Sequence, residues 1–149
     1  MEPREPIYPE VLVRPNVRVP MRDGIELVTD IYLPAREGKV VAPQPALLLR
    51  TPYNKGDSNS AQAMRWARHG YVVAAQDVRG RYASDGAFTA FVQEDLDGYD
   101  AIEWLAALPE CDGRVGTWGG SYCAANQGAA ATQRPPHLAA MCHYFGYPH

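Results

Sequence analysis

Short apolar segments alternate with polar, glycine-containing or proline-containing stretches along most of the chain. Residues 17–20 and 25–33 are rich in strand-forming residues and broadly alternate, and Arg22-Asp23-Gly24 between them carries the Asp-Gly signal of a hairpin turn. We therefore expect an antiparallel pair of strands at a sheet edge. Residues 1–15 contain four prolines and no hydrophobic period, which predicts an extended arm that lies on another part of the protein.

Strand and helix patterns then follow one another. Four apolar segments predict strands, at residues 46–49, 71–75, 114–118 and 138–142. Three segments between them have the composition or period of helices, at residues 60–69, 95–108 and 122–132. This order predicts an α/β fold, in which a mostly parallel sheet with an N-terminal β-hairpin is covered by helices on both faces.

The first two helices carry signals for their ends and their buried faces. Ser60 is a candidate N-cap, His69 falls in the last turn, and Gly70 stands where a left-handed residue commonly ends a helix. Pro109 ends the second helix. That helix is predicted to bury an apolar face made of Leu96, Tyr99, Ile102, Leu105 and Ala106.

A dinucleotide-binding fold shares this alternation of strands and helices. Such a fold needs the spacing G-x-G-x-x-G directly after an early strand. The loops that follow Leu49 and Ala75 contain no such spacing. The pattern therefore favours a different α/β fold, and we expect no cofactor.

The most informative segment joins the predicted strand at 114–118 to the predicted helix at 122–132. Its sequence, Gly116-Thr117-Trp118-Gly119-Gly120-Ser121-Tyr122, places a serine after two glycines and before a helix of small residues. This is the setting of a nucleophile elbow, a strained turn that lifts the serine hydroxyl above the sheet. Cys123 stands where G-x-S-x-G has its last glycine, so the motif alone also fits a serine that only caps the helix. Its position after the fifth strand favours Ser121 as a nucleophile.

Attack by a serine requires hydrogen-bond donors for the oxyanion that forms. In a nucleophile elbow one donor is the backbone N–H of the next residue, which here is Tyr122. The second donor comes from the loop after the third strand, where the sequence is Arg50-Thr51-Pro52-Tyr53-Asn54-Lys55. We expect the Tyr53 hydroxyl to serve there in place of a backbone group; the alternative is an ordinary half-buried tyrosine at a strand end.

Charge and cysteine content argue against several kinds of partner. The net charge is −3 and the charges are interspersed, with no run of Lys and Arg that would indicate binding of DNA or RNA. The cysteines, Cys111, Cys123 and Cys142, fit neither a disulfide framework nor a metal site. The first residues lead into no signal-peptide core, and no apolar stretch is long enough to cross a bilayer. We therefore expect a cytoplasmic protein without a metal, nucleic-acid or membrane partner.

Five blocks of sequence follow one another in an order shared with a known family. They are Met21-Arg22-Asp23-Gly24, Arg50-Thr51-Pro52-Tyr53, the segment from Gln76 to Gly86, Asp97-Gly98-Tyr99-Asp100 with Glu103-Trp104, and Gly119-Gly120-Ser121-Tyr122. Together they extend over about residues 14–142. In these blocks the chain resembles the X-prolyl dipeptidyl peptidase and cocaine-esterase family of α/β-hydrolases, which also includes α-amino-acid ester hydrolases and cephalosporin acylases.

The resemblance implies roles for particular residues. Ser121 would be the acylated nucleophile, and the Tyr122 N–H and the Tyr53 hydroxyl would form the oxyanion hole. Ala124 stands where the family usually has glycine, a small change that preserves close helix packing. Arg79, with Asp77, is expected to brace the loop near the site. With the arm at 1–15, the resemblance implies a partial hydrolase domain at 16–149 that ends after about the sixth strand.

The rest of a catalytic triad does not follow Ser121 in this sequence. The chain order of the fold is serine, then Asp or Glu, then His, and no Asp or Glu comes after Ser121. Of the later histidines, His137 and His143 are expected to be structural, and His149 is the last residue. The family has its acid and histidine farther along the chain, past a helical insertion. We therefore expect an N-terminal fragment of such a hydrolase.

The sequence predicts a serine hydrolase that cleaves an ester or amide bond through an acyl-enzyme on Ser121. Its substrate would be a small ester or amide or, as the resemblance implies, a peptide cleaved after proline. The alternative is a catalytically incomplete fragment with a binding or assembly role. In that case the unpaired last strand favours self-association or pairing with a complementary C-terminal piece.

Overall fold

The computed structural model describes residues 5–145, without the side chains of Asp57 and Ser58. Seven strands and three helices lie in this range. The strands are β1 (Glu10–Pro20), β2 (Glu26–Arg36), β3 (Lys39–Val40), β4 (Gln44–Thr51), β5 (Val72–Asp77), β6 (Cys111–Gly120) and β7 (Leu138–Tyr144). The helices are α1 (Asp57–Arg68), α2 (Glu94–Ala106) and α3 (Tyr122–Thr132).

All seven strands belong to one mixed sheet. The strand order is β1-β2-β5-β4-β6-β7, and β3 pairs with β2 outside this path. Strands β4 to β7 are parallel to their neighbours within that group, whereas β1, β2 and β3 pair in antiparallel fashion. The sheet is mixed because β2, the second strand of the N-terminal hairpin, pairs antiparallel with β5 of the parallel group. The predicted α/β class and the hairpin at the sheet edge are confirmed.

Consecutive residues of the central strand β4 contribute to two different cores. Leu48 packs in the cluster that contains Ile102 of α2. Leu49 packs in the cluster that contains Ala67 of α1. Successive side chains of a strand point to opposite faces, so helices must cover both sides of the sheet to bury this apolar run. The carboxyl ends of β4 and β6 thereby lie side by side at one edge of a packed scaffold.

The first strand begins earlier than predicted. The sequence places residues 10–15 in an extended arm, but β1 already pairs with β2 at Glu10. The prediction is wrong there because most side chains of this edge strand are exposed, so backbone pairing rather than a hydrophobic pattern defines it. Residues 1–4 lie outside the described part of the chain. Of the predicted arm, Ile7 and Tyr8 donate their backbone N–H groups to the Arg68 carbonyl oxygen at the end of α1.

The helices confirm some of the predicted signals and correct others. α1 begins at Asp57, so Ser60 lies within the helix and is not its N-cap, whereas Gly70 has the expected left-handed conformation with φ of 92°. The buried face of α2 includes Glu94 and Asp97, while Leu96 and Tyr99 of the predicted face are only half-buried. The predicted bounds of α3 are confirmed. None of the helices among residues 5–145 has the length and apolar character needed to span a bilayer.

Candidate active site

Ser121 alone connects β6 to α3, at the carboxyl end of the parallel strands. Its backbone has φ of 56° and ψ of −125°, a combination that is strained for a residue with a side chain and costs on the order of 1–3 kcal/mol. Although Ser121 occupies the N-cap position of α3, its side chain makes no capping hydrogen bond. The local geometry is therefore that of a nucleophile elbow and not of an ordinary helix cap.

The elbow depends on the absence of a side chain at Gly119. A Cβ atom there would lie 2.5 Å from the Cβ atom of Cys123, and the residue has φ of 144°. Cys123 fills the place of the last glycine in G-x-S-x-G and is buried. The chain accommodates a side chain at Cys123 because Gly119 leaves the space for it.

Tyr53 contacts the candidate nucleophile from the neighbouring strand. Its phenol oxygen lies 3.4 Å from the Oγ atom of Ser121, and either hydroxyl can donate in this contact. Tyr53 follows β4, which pairs parallel with β6, so the two loops meet at the same edge of the sheet. The structure therefore brings together the predicted nucleophile and the predicted side-chain donor.

Tyr122 is the first residue of α3, and its side chain is buried beneath the site. The backbone N–H groups of a first helical turn have no acceptor within the helix and lie at the positive end of its dipole. The Tyr122 hydroxyl donates to Glu94 Oε1 at 2.8 Å and accepts from the Phe91 N–H at 2.8 Å. The rings of Phe91 and Tyr122 stack with centroids 4.4 Å apart. Burial, with a smaller effect from Glu94, raises the pKa of Tyr122 to about 12, so the phenol is a neutral donor at pH 7.

Arg50 extends this contact into a buried polar network. Its guanidinium lies 2.8 Å from Glu94 Oε2 and donates to Gln76 Oε1 at 2.9 Å. Its carbonyl oxygen accepts from Asn126 Nδ2 at 2.8 Å. The network therefore joins β4, β5, α2 and α3 directly below the elbow. The roles of Arg50 and Glu94 were not predicted, because the positions of charged residues in the sequence do not show which of them meet in the folded protein.

Arg79 and Asp77 both brace the neighbourhood of the site, but with different partners. Arg79 donates to the two carboxylate oxygens of Asp97 at 2.9 and 2.6 Å and also pairs with Asp23 at 2.8 Å. Asp77 instead accepts from the backbone N–H of Lys55 at 2.8 Å. The two residues therefore act separately: Asp77 holds the loop that carries Tyr53, and Arg79 joins α2 to the turn of the N-terminal hairpin. Desolvation by burial raises the pKa of Asp77, although the Lys55 N–H acts in the opposite direction.

Neither described histidine after Ser121 is placed as its base. His137 precedes β7, which is parallel to β6, and therefore lies at the end of the sheet opposite Ser121. Its Nδ1 atom lies 2.7 Å from Glu103 Oε2. His143 is exposed on β7, opposite Gly119 in the register, and makes no hydrogen bond to Ser121 in the described structure. His149 lies outside the described residues.

An apolar groove of about 630 Å³ opens beside Ser121. Aromatic rings form part of its lining, and small residues on one side of α3 form most of the rest. The lining consists of Phe91, Ser121, Tyr122, Ala125, Gly128, Ala129, Thr132 and Phe145. The groove has room for an apolar group attached to a reacting carbonyl.

Among residues 5–145, no group of His, Cys, Asp and Glu side chains is arranged to hold a metal ion.

The strand order, the covering helices and the strained serine between β6 and α3 define the N-terminal part of an α/β-hydrolase fold. Residues 23–147 match the X-Pro dipeptidyl-peptidase (S15) family, and the chain belongs to that family. The family resemblance predicted from the sequence is thus confirmed.

Individual relatives agree with this assignment. The chain is 43% identical over 124 residues to the cocaine esterase of Rhodococcus sp. (strain MB1 Bresler), a match that covers 80% of this chain and 21% of that protein. The crystal structure of an aminopeptidase from the marine sediment archaeon Thaumarchaeota archaeon is similar with a TM-score of 0.74 and 30% identity, over 95% of this chain and 26% of that one. An α-amino-acid ester hydrolase has a TM-score of 0.74 and 32% identity, over 88% of this chain and 24% of that one. The present chain spans about a fifth to a quarter of the length of these proteins.

Proposed function

We propose that this chain carries the nucleophile and the oxyanion hole of a serine hydrolase that cleaves an ester or amide bond through an acyl-enzyme on Ser121. The observation that supports this most is the strained turn at Ser121 with the Tyr53 hydroxyl 3.4 Å from its Oγ atom. Family membership supports a hydrolase of the esterase or peptidase type.

The proposed reaction begins when Ser121 Oγ attacks the substrate carbonyl carbon and loses its proton to a base. The carbonyl oxygen becomes an oxyanion, which accepts hydrogen bonds from the Tyr122 N–H and the Tyr53 O–H. Each such donor typically contributes about 3 kcal/mol to stabilisation of the transition state. Collapse of the tetrahedral intermediate expels the alcohol or amine, which takes up the proton from the base, and leaves the acyl group on Ser121. Water then hydrolyses the acyl-enzyme by the same steps.

The base and its acidic partner are not among the residues that the structure describes near Ser121. In this fold both come after the serine in the chain, and the sequence contains no Asp or Glu after Ser121. His137 is hydrogen-bonded to Glu103 and lies at the opposite end of the sheet. We propose that a histidine and a carboxylate from outside these 149 residues complete the site.

The apolar groove beside Ser121 supports a substrate with an apolar acyl or leaving group. Its lining contains two phenylalanine rings and several small side chains, and its polar side chains are few. The names of the cocaine esterase and of the α-amino-acid ester hydrolase support an ester substrate. The S15 family description and the archaeal aminopeptidase support a peptide as the amide-containing alternative.

A second candidate is a catalytically incomplete protein with a binding or assembly role. One specific observation favours it: β7 forms one edge of the sheet, and most of its residues are exposed. Tyr144 is 44% exposed and Phe145, directly after the strand, is 91% exposed. An edge of this kind supports pairing with a complementary piece or a second copy.

A cytoplasmic location stays a prediction from the sequence.

A fluorophosphonate probe distinguishes these two candidates, because it labels only activated serines. The protein as naturally encoded would be treated with the probe, and the label would be located by peptide mass. We expect labelling at Ser121 that is lost in Ser121→Ala and retained in Ser60→Ala, since Ser60 lies within α1. Folded protein that takes up no label at Ser121 would contradict the hydrolase proposal and favour the binding or assembly role.

A further inference from the structure

The oxyanion role proposed for Tyr53 raises the question of what fixes its position. The residue is 57% exposed, so packing around the ring contributes little to its placement. The residue also lies on the loop after β4 and not within a regular element. The position of its hydroxyl therefore depends mainly on the backbone from Pro52 to Lys55.

Two side chains, one at the end of β5 and one in the segment that follows it, hold that backbone on both sides of Tyr53. Arg81 Nε donates to the Pro52 carbonyl oxygen at 3.0 Å, one residue before Tyr53. Asp77 Oδ1 accepts from the Lys55 N–H at 2.8 Å, two residues after it. The Tyr53 N–H itself donates to Thr51 Oγ1 at 3.0 Å. The loop is thus fixed before, at and after the tyrosine.

Both of these side chains make further contacts of their own. Asp77 is the last residue of β5, is only 1% exposed, and its carbonyl oxygen accepts from Ser84 Oγ at 2.7 Å. The Arg81 guanidinium lies over the rings of Tyr82 and Phe88, 5.1 Å from each centroid. A planar guanidinium in such a position donates in a fixed direction, which a flexible ammonium does not reproduce.

We infer that Arg81 and Asp77 are positioning residues that set the Tyr53 hydroxyl for the oxyanion. The inference rests on the proposed function, because the oxyanion role of Tyr53 is part of that proposal. Arg81 and Asp77 themselves take no part in the chemistry. Both act through one hydroxyl, whereas the other donor, the Tyr122 N–H, belongs to α3. Loss of either side chain should therefore weaken stabilisation of the transition state and leave binding of the substrate unchanged.

The test is a double-mutant cycle on ester hydrolysis by the protein as naturally encoded. Tyr53→Phe is expected to lower kcat by roughly 100-fold, as loss of an oxyanion donor does. Arg81→Lys keeps the charge but removes the Nε donor, and should lower kcat by roughly 10-fold with KM unchanged, because small displacements of catalytic groups are costly. In the Tyr53→Phe background Arg81→Lys should have no further effect. Arg65→Lys, an exposed arginine on α1, is the matched control and should leave kcat unchanged.

The possible outcomes separate the inference from the function on which it rests. If Arg81→Lys lowers kcat by the same factor with and without the Tyr53 hydroxyl, or does not lower it at all, the positioning role is wrong and the proposed function stands. If Tyr53→Phe leaves kcat unchanged, the oxyanion role of Tyr53 is wrong, and the inference fails with it. Asp77→Ala is the second variant; it removes the acceptor of the Lys55 N–H and should also lower kcat. Asp77→Asn keeps an acceptor oxygen and should retain most of the kcat that Asp77→Ala loses.

Discussion

The phenol oxygen of Tyr53 and the Oγ atom of Ser121 lie 3.4 Å apart, although 68 positions separate the two residues in the chain. Tyr53 follows β4 and Ser121 follows β6, and these two strands are parallel neighbours in the sheet. Their carboxyl ends therefore meet at the same edge. The candidate site follows from this topology together with the strained turn after β6.

The first prediction concerns the space at the elbow. Gly119→Ala would place a Cβ atom 2.5 Å from the Cβ atom of Cys123, in a backbone conformation that L-residues rarely adopt. We expect the free energy of unfolding to fall by about 2 kcal/mol or more, as over-packing and backbone strain combine. Urea denaturation of the variant and of the unmodified chain measures the difference.

Two further variants control this experiment. Cys123→Gly in the Gly119→Ala background removes the colliding Cβ atom and should recover part of the loss. Gly128→Ala, within α3, meets no atom within 4 Å and should stabilise the helix by about 0.5–1 kcal/mol. Equal destabilisation by Gly119→Ala and Gly128→Ala would contradict the account of the elbow.

The second prediction concerns the buried hydroxyl of Tyr122. Tyr122→Phe removes the group that hydrogen-bonds to Glu94 and to the Phe91 N–H. Because both partners lose a hydrogen bond beneath the site, the free energy of unfolding should fall by about 1–3 kcal/mol. Tyr82→Phe, at an exposed tyrosine, is the control and should change it much less. An unchanged stability of Tyr122→Phe would mean that the hydroxyl contributes nothing to the network.

The third prediction is the pH dependence of that contribution. Burial and Glu94 raise the pKa of Tyr122 to about 12 in the folded protein, against about 10 for an unfolded tyrosine. The folded state therefore retains the proton where the unfolded state loses it, so stabilisation by the phenol is complete below about pH 10 and declines as the pH rises towards 12. The stability difference between the unmodified chain and Tyr122→Phe should shrink over this range in urea titrations. A difference that stays constant from pH 9 to above pH 11 would be the contrary result.

The fourth prediction is that Arg79 is structural. Its guanidinium binds both oxygens of the buried Asp97 carboxylate, which would be left without this partner in Arg79→Gln. Loss of one partner of a buried ion pair typically costs about 3 kcal/mol or more. The protein that remains folded should still react with a serine probe. Arg114→Gln breaks the exposed pair with Asp112 and should have a much smaller effect on unfolding. Loss of probe labelling in folded Arg79→Gln would instead indicate a role in the reaction.

The sequence patterns predicted the elements that depend on local signals. The helix at 122–132 matches α3 at both ends, because the glycines before it and its small residues define it locally. The start of β1 at Glu10 was missed, since an exposed edge strand needs only backbone partners. Ser60 was misplaced as an N-cap because α1 starts one turn earlier, after Gly56. Just before the helix, Asn54 Oδ1 accepts a hydrogen bond from the Gly56 N–H, a local contact that composition does not indicate.

The candidate site was predictable to the extent that its residues belong to motifs. Ser121 and Tyr53 were expected together, and the structure brings them together. Glu94 was not expected, because its partners Arg50 and Tyr122 come from β4 and α3 and meet it only in the folded protein. For the same reason the pattern of α2 correctly predicted Ile102 and Leu105 as buried. It did not predict Glu94 and Asp97, which are buried against arginines from distant segments.

The most direct test of the proposed acyl-enzyme is a burst experiment with a p-nitrophenyl ester and the protein as naturally encoded. We expect a burst of p-nitrophenol close to one equivalent per protein chain, and a peptide that carries the acyl group on Ser121 after rapid acid quenching. Both signals should disappear in Ser121→Ala and persist in Ser60→Ala. Ester hydrolysis that continues undiminished in Ser121→Ala, or an acyl group located on a different residue, would contradict the assignment of Ser121 as the nucleophile.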